Sequence, residues 1–405
     1  MLTSHTLVTL LLVPAALVAQ ATPARQTDAD AYTRYELLAP GSGKFRIIYE
    51  VTATTPGATQ YFNPIRAGSI ATDEAVFDRT TGRPLPFDEV GGVVARAGGV
   101  RGADTTGRYI RVTLARPVPV DGEGRILILK TYEDRASYLV RGDTIVFTRP
   151  LGIKRNAVAL PEGYELVASN YPSQVLQEVD GRMVVSFWNS TPAEAPLTLR
   201  ALPRGAGPAI RSAMAGRLDE RAHQDRKIIY FLQQPETHAF DLYHDYTESR
   251  AGTSTYLNVV RTGSTVANPR ARDLDTGDEL RWELVKGDAI TRASLDVPNV
   301  TPTTEVVVFR FPPVPTGGST RLRMYETYTD SVRYRLAGDE LVWDRGFGRP
   351  MNIVVLPAGW VLTNSSIPAT VSTREDGRVQ LDFVNARPDE LQVLITARRR
   401  RSTTR

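Results

Sequence analysis

The chain is written twice. Leu160-Pro161-Glu162-Gly163-Tyr164 returns as Leu356-Pro357-Ala358-Gly359-Trp360, and Asp180-Gly181-Arg182 returns as Asp376-Gly377-Arg378. A shift of 196 residues keeps register from about residue 116 to residue 200 without a gap, carrying Thr131-Tyr132 onto Thr327-Tyr328, Asp134 onto Asp330 and Asn189 onto Asn385. Upstream the shift is 195. There Phe45, Tyr61, Asn63 and Arg66-Ala67-Gly68-Ser69 meet Phe240, Tyr256, Asn258 and Arg261-Thr262-Gly263-Ser264. A period this long predicts two domains and not a solenoid, each large enough to bury its own core. We therefore expect a first domain over 31–202, a connector over 203–226, a second domain over 227–397 and a basic tail over 398–405.

Within each copy apolar and polar residues alternate at period two, and turn residues recur every eight to twelve positions or so, the pattern of an all-β sandwich. Phe45-Arg46-Ile47-Ile48-Tyr49-Glu50-Val51 is one such strand; Ile126, Ile128 and Tyr132 share a face of another, matched by Leu322, Met324 and Tyr328. Lys130 and Glu326 fall on that same inward lattice at equivalent places. The simplest expectation puts each near a strand end, reaching water; a pseudo-symmetric packing of the units would let the two charges meet. Asp180-Gly181 and Asp376-Gly377 read as type I′ hairpin turns. In the connector, Pro203-Arg204-Gly205-Ala206-Gly207-Pro208 has linker composition, whereas Ile210, Met214 and Leu218 recur every four residues as in a short helix; both readings stay open. The fold class expected is thus all-β, two tandem homologous β-sandwich domains joined by a short linker or helix.

Residues 7–18 are an uncharged apolar run too short to span a bilayer, and Ala19-Gln20-Ala21 has the small-residue cleavage pattern, so 1–21 reads as a signal peptide. Export to a bacterial periplasm or the exterior is the expectation. No later stretch is apolar enough to be a transmembrane helix. The absence of cysteine excludes disulfides, thiolate metal sites and cysteine nucleophiles together. The net charge of +4 is local: Arg398-Arg399-Arg400-Arg401 and Arg405 carry five positive charges, which leaves the rest near neutral and gives no basic field for nucleic acid. The tail reads as a solvated end, with contact to an anionic surface as the alternative.

Duplication separates structural from functional residues, because a single site should show as a residue present in one copy only. His223, His238 and His244 meet that criterion, and the partners of the last two are Gly43 and Tyr49. On one continuous strand His238 and His244 would share a face roughly 20 Å apart, too far for one ion. Exposed or edge-strand histidines are the plainer expectation. Arg66 and Arg261, each in an Arg-x-Gly-Ser turn, could hold an anion, and Tyr61 and Tyr256 could stack on a sugar or peptide. The plainer alternatives are strand-entry turns and core aromatics. No metalloprotease, nucleophile-elbow, phosphate-loop or dinucleotide motif is present, so no catalytic residue, metal ligand or cofactor is assigned.

Tyr230-x-x-Gln233-x-Pro235-Glu236-Thr237-His238-x-Phe240, then Arg261-x-Gly263-Ser264 and Asp273-x-Asp275-Thr276-Gly277-x-x-Leu280, resembles the amino-terminal β-domain of glycyl-aminopeptidase-type zinc metallopeptidases. In that family the domain precedes a helical catalytic module and helps shape the substrate cleft. The zinc-binding helix and its histidines are absent here, so the resemblance implies a β-sandwich used twice without the enzyme. The functional expectation is an exported, non-catalytic binding or structural protein whose partner is a protein, peptide or glycan. The alternative is a hydrolase that uses His238 or His244 with Asp241, Asp245 or Glu248.

Overall fold

The computed structural model describes residues 24–205 and 212–400. The expected signal peptide, Ile210 of the connector and Arg401 to Arg405 of the tail lie outside the described residues. The described chain is all-β, with two short helices, Gly92–Ala97 and Asp288–Arg292, and one 3₁₀ turn, Pro235–Thr237.

Period-two burial is the local cause of the strands. In Lys44–Ala53, Phe45, Ile47, Tyr49 and Val51 are buried on one face. Each large apolar side chain so removed from water contributes on the order of 2 kcal/mol. A seven-stranded sheet runs in the order Gln174–Gln177, Met183–Trp188, Arg155–Ala159, Asp28–Leu37, Lys44–Ala53, Gly124–Glu133, Ile70–Asp78. A ten-stranded sheet begins in the same order: Thr370–Thr373, Val379–Val384, Met351–Val355, Lys227–Leu232, Ala239–Glu248, Thr320–Thr329, Thr265–Asp273. It continues through Glu279–Lys286, Glu305–Arg310 and Thr255–Val259, whose counterparts Phe87–Gly91, Arg108–Thr113 and Gln60–Ile65 form a separate three-stranded sheet. The join is made by two pairs, Ala271 with Leu280 and Arg272 with Glu279; in the first half a single bridge, Phe77 to Pro84, stands near that place. Each half has one parallel pairing, Asp28–Leu37 with Arg155–Ala159 and Lys227–Leu232 with Met351–Val355. Two four-stranded sheets complete the set. One apolar core is drawn from residues between Tyr35 and Ala201, another from residues between Ile228 and Ala397.

Two local expectations change. Of Asp180 and Gly181 only the glycine has positive φ, and likewise only Gly377 of the second pair. Gly181 N donates to Glu178 O and Glu178 N to Arg182 O; Gly377 N to Arg374 O and Arg374 N to Arg378 O repeat the pattern. These are three-residue loops that end in a left-handed glycine, a form that needs one positive φ where the type I′ turn needs two. The described connector residues from Ser212 onward form turns, with Arg221 and Ala222 buried. The last strand, Leu391–Arg399, takes in two arginines of the basic run, and Arg399 lies over the Trp360 ring.

The halves meet along a buried polar seam. Arg125 forks onto Asp275, Nε to Oδ1 and Nη2 to Oδ2, both at 2.7 Å, and also donates to the Ser319 hydroxyl and carbonyl. Arg125 is 4% exposed and Asp275 fully buried. Glu123 N donates to Leu274 O at 2.7 Å, and with the halves exchanged Ser319 Oγ donates to Arg79 O at 3.0 Å. The backbones approach so closely that a Cβ on Gly122 would stand 2.5 Å from Leu274 O and one on Gly318 2.2 Å from Thr80 O. Only glycine fits at such distances.

Candidate functional site

Each half carries a cleft at an equivalent place, where the inner face of its large sheet meets the end of the strand that contains Arg149 or Arg345. The first is about 660 Å³ and is lined by Tyr35, Tyr49, Tyr61, Asn63, Arg66, Lys130, Tyr132, Arg149 and Glu194 among others. The second is about 330 Å³ and is lined by Tyr230, His244, Asn258, Arg261, Glu326, Tyr328, Arg345, Arg349 and Glu390 among others. Under the shifts of 195 and 196, Tyr35, Asn63, Arg66, Tyr132, Arg149 and Glu194 fall on Tyr230, Asn258, Arg261, Tyr328, Arg345 and Glu390.

The walls owe their shape to a shared device. The Arg149 guanidinium lies over the rings of Tyr35, Phe45 and Tyr132 and donates to Asp134 Oδ2 at 3.0 Å; Arg345 lies over Tyr230, Phe240 and Tyr328, 3.8 Å from Asp330. Ser69 and Ser264 donate to those same aspartates, at 3.3 and 3.0 Å. The Arg-x-Gly-Ser turn is thereby pinned to the buried carboxylate, and its arginine is left at the cleft. Arg66 donates to Pro150 O, and Arg261 pairs with Glu390 at 3.0 Å.

The floors differ in charge. Lys130 and Glu326 do not reach water as expected: they are 5% and 3% exposed on the inward face of Gly124–Glu133 and Thr320–Thr329. Nor do they meet. Lys130 Nζ donates to Asn63 Oδ1 at 2.6 Å, and Asn258 Nδ2 donates to both Glu326 oxygens at 2.7 Å. Both charges lie inside their strands and meet the strand that carries the asparagine, Gln60–Ile65 or Thr255–Val259, and a single asparagine reorients its amide to serve either sign. Burial pushes the Lys130 ammonium down to about 7 and, against the smaller opposing pull of Asn258 and Arg349, pushes the Glu326 carboxyl up to about 7.

The expected site residues divide. Arg66 and Tyr61 enter the first cleft, Arg261 and His244 the second, and Tyr256 packs edge-on against His244 with ring centroids 5.8 Å apart. Tyr61 is 3% exposed and donates to Asp28 Oδ2 at 3.2 Å. His238 is elsewhere. It caps the 3₁₀ turn at φ 55°, with Nδ1 2.8 Å from Tyr334 O, so the two histidines are not on one continuous strand. His244 is neither exposed nor on an edge: it is 2% exposed, on a strand paired on both sides. Its Nδ1 faces the Arg349 guanidinium, and burial together with Arg349 and Arg226 holds the imidazole well below its usual range. The carboxylates proposed as its partners are engaged elsewhere, Asp245 with Arg323 at 2.6 Å, Glu248 with Arg250 at 2.6 Å and Asp241 with Thr327 at 2.7 Å. Among the described residues no three histidine or carboxylate groups are placed to hold a metal ion.

Reading histidine alone missed Arg349 and Arg226. Their first-half equivalents are Ile153 and Ala31, so the one-copy criterion, applied to arginine as well, finds both.

No protein-family model matches the sequence, and no curated protein sequence matches it. Among solved structures the chain is similar to the aminopeptidase N family protein from Idiomarina loihiensis, at 9% identity and a TM-score of 0.28, with 51% of this chain and 31% of that one covered. It therefore spans about a third of that protein's length. It is also similar to collagen adhesin from S. aureus, at 8% identity and a TM-score of 0.17, with 80% of this chain and 87% of that one covered. At these scores neither likeness bears on the site. No helix among the described residues is long and apolar enough to cross a membrane.

Proposed function

We propose that the chain is an exported, non-catalytic binding protein made of two tandem homologous β-sandwich domains, each with a cleft for a ligand. The observation that carries this reading is the recurrence of one cleft at equivalent positions, with its arginine, tyrosine and asparagine walls kept and its buried charge exchanged. The shared strand order and the two separate cores support the two domains. The apolar run ahead of Ala19-Gln20-Ala21 supports export. A cavity with fixed polar groups converging on it is where a small ligand gains both affinity and orientation. A hydrolase would need a general base with a partner to orient it. His244 is instead held neutral against a guanidinium.

The test uses the full chain in a thermal-shift and calorimetric screen of short peptides, oligosaccharides and small organic anions, beside Arg66→Trp and Arg261→Trp, which block one cleft each. The expected result is a ligand whose affinity falls at least tenfold in one of the two variants. A ligand indifferent to both, or hydrolysis of a peptide or ester that His244→Ala abolishes, would overturn the reading. The two-domain part has its own check. Residues 24–205 produced alone should give a β-type circular dichroism spectrum and a cooperative melt, and an insoluble or molten product breaks it.

A further inference from the structure

Three positions at the second cleft have no functional equivalent at the first. Arg349 stands where the first half has Ile153, Arg226 where it has Ala31, and His244 where it has Tyr49. Distant in sequence, they line one cavity. The guanidinium of Arg349 can only donate, so His244 Nδ1 must accept, which places the imidazole proton on Nε2. That Nε2 is buried and has no hydrogen-bond partner, and the same is true of Arg345 Nη1. A buried donor without an acceptor is costly, and two of them at one cavity call for a partner. Arg261 and Glu390 pair with each other and Arg345 lies 3.8 Å from Asp330, which leaves Arg226 and Arg349 with Glu326 as the carboxylate of the cleft.

Resting on the binding-protein reading, we propose that the second cleft is the site for a small oxyanion, a carboxylate or phosphate group, received by Arg349, Arg226 and His244 Nε2. A guanidinium presents parallel N–H donors that match two oxygens of either group, and a neutral imidazole adds a third donor without adding charge. A cavity of about 330 Å³ admits a compound of metabolite size around that group. Glu326 opposes the anion when ionised. Because burial pushes its carboxyl up to about 7, acidification removes the opposing charge. The other charged groups at the cleft are Arg226, Arg261, Arg345, Arg349 and Glu390, and burial with Arg349 and Arg226 holds the His244 imidazole well below its usual range.

The experiment is calorimetric titration of the full chain with inorganic phosphate, succinate and sulfate, the last at pH 6 and pH 8 because its charge is constant there. Binding of all three marks a general oxyanion site; succinate alone marks a carboxylate site, and phosphate with sulfate alone a tetrahedral one. In each case Arg349→Ile, which installs the residue the first half has, should weaken binding at least tenfold, and where sulfate binds it should bind more tightly at pH 6. Glu326→Gln should remove that pH dependence while retaining binding, a readout that damage to the fold would not mimic. Unchanged affinity in Arg349→Ile, or binding lost in Lys130→Met instead, overturns the assignment and leaves the binding-protein reading intact. Absence of binding by all three probes, beside a ligand found in the wider screen, does the same.

Discussion

The two clefts are built alike around opposite charges. In the first, Lys130 leans on Asn63 beneath an aromatic wall; in the second, Glu326 leans on Asn258 beside Arg349 and His244. The exchange shows that the sandwich tolerates a buried ion of either sign there, provided one amide faces it, so the position was free to vary for what it presents to the cavity. Both groups gain a proton as pH falls through about 7, and both clefts become one charge more positive. The opposite residues thus respond to acid in the same electrostatic direction.

Their effects on folding run in opposite directions, and the comparison can be broken there. The Lys130 value falls from 10.5 unfolded to about 7 folded, so between those values the unfolded chain holds the extra proton and stability rises with pH. At about 1.4 kcal/mol for each tenfold change in proton affinity, the buried charge costs on the order of 5 kcal/mol below pH 7. Lys130→Met should recover part of this, less about 1 kcal/mol because Asn63 Oδ1 loses its donor. Urea unfolding should show the gain at pH 6 and lose it above pH 10.5; a gain equal at both would break the account. Glu326 rises from 4.5 to about 7, so the folded chain holds the extra proton and stability falls with pH across that window. Glu326→Gln keeps the acceptor for Asn258 and should stabilise by up to about 3 kcal/mol at pH 8, with no gain below pH 4.5. The smallest effect sharpens the comparison at the tyrosines. Tyr61→Phe loses a buried hydrogen bond to Asp28 and should cost about 1 kcal/mol, whereas half-buried Tyr256→Phe should stay within about 0.5 kcal/mol in the same melts.

Much of the fold could be read from period two, because each inner face is an apolar row interrupted at one position: Ile126, Ile128 and Tyr132, or Leu322, Met324 and Tyr328. The same row contained Lys130 and Glu326, and taking charge as a sign of exposure misplaced both. Their burial depends on Asn63 and Asn258, which sit 67 and 68 residues away and declare nothing locally. The Asp-Gly turns were located correctly and typed wrongly, since loop type follows the pairing register across the hairpin as well as its residues. Tyr61, Arg66, Arg261 and His244 were singled out from sequence and do line the clefts. The meeting of His244 and Arg261 with Arg349 was hidden because they come from separate parts of the half, a strand, a turn and a bend before Met351–Val355. His238 was grouped with His244 by spacing alone, and one left-handed residue before the strand undoes that geometry.

The fork from Arg125 to Asp275 ties the halves in a way a flexible tether would not. To rotate one against the other, a guanidinium would have to leave its carboxylate where both are buried, a change that costs about 3–5 kcal/mol when one partner of such a pair is removed. The two cavities therefore keep a set span and bearing. Under the proposed binding reading, a partner that displays two matching groups would gain avidity at one separation and none at the others.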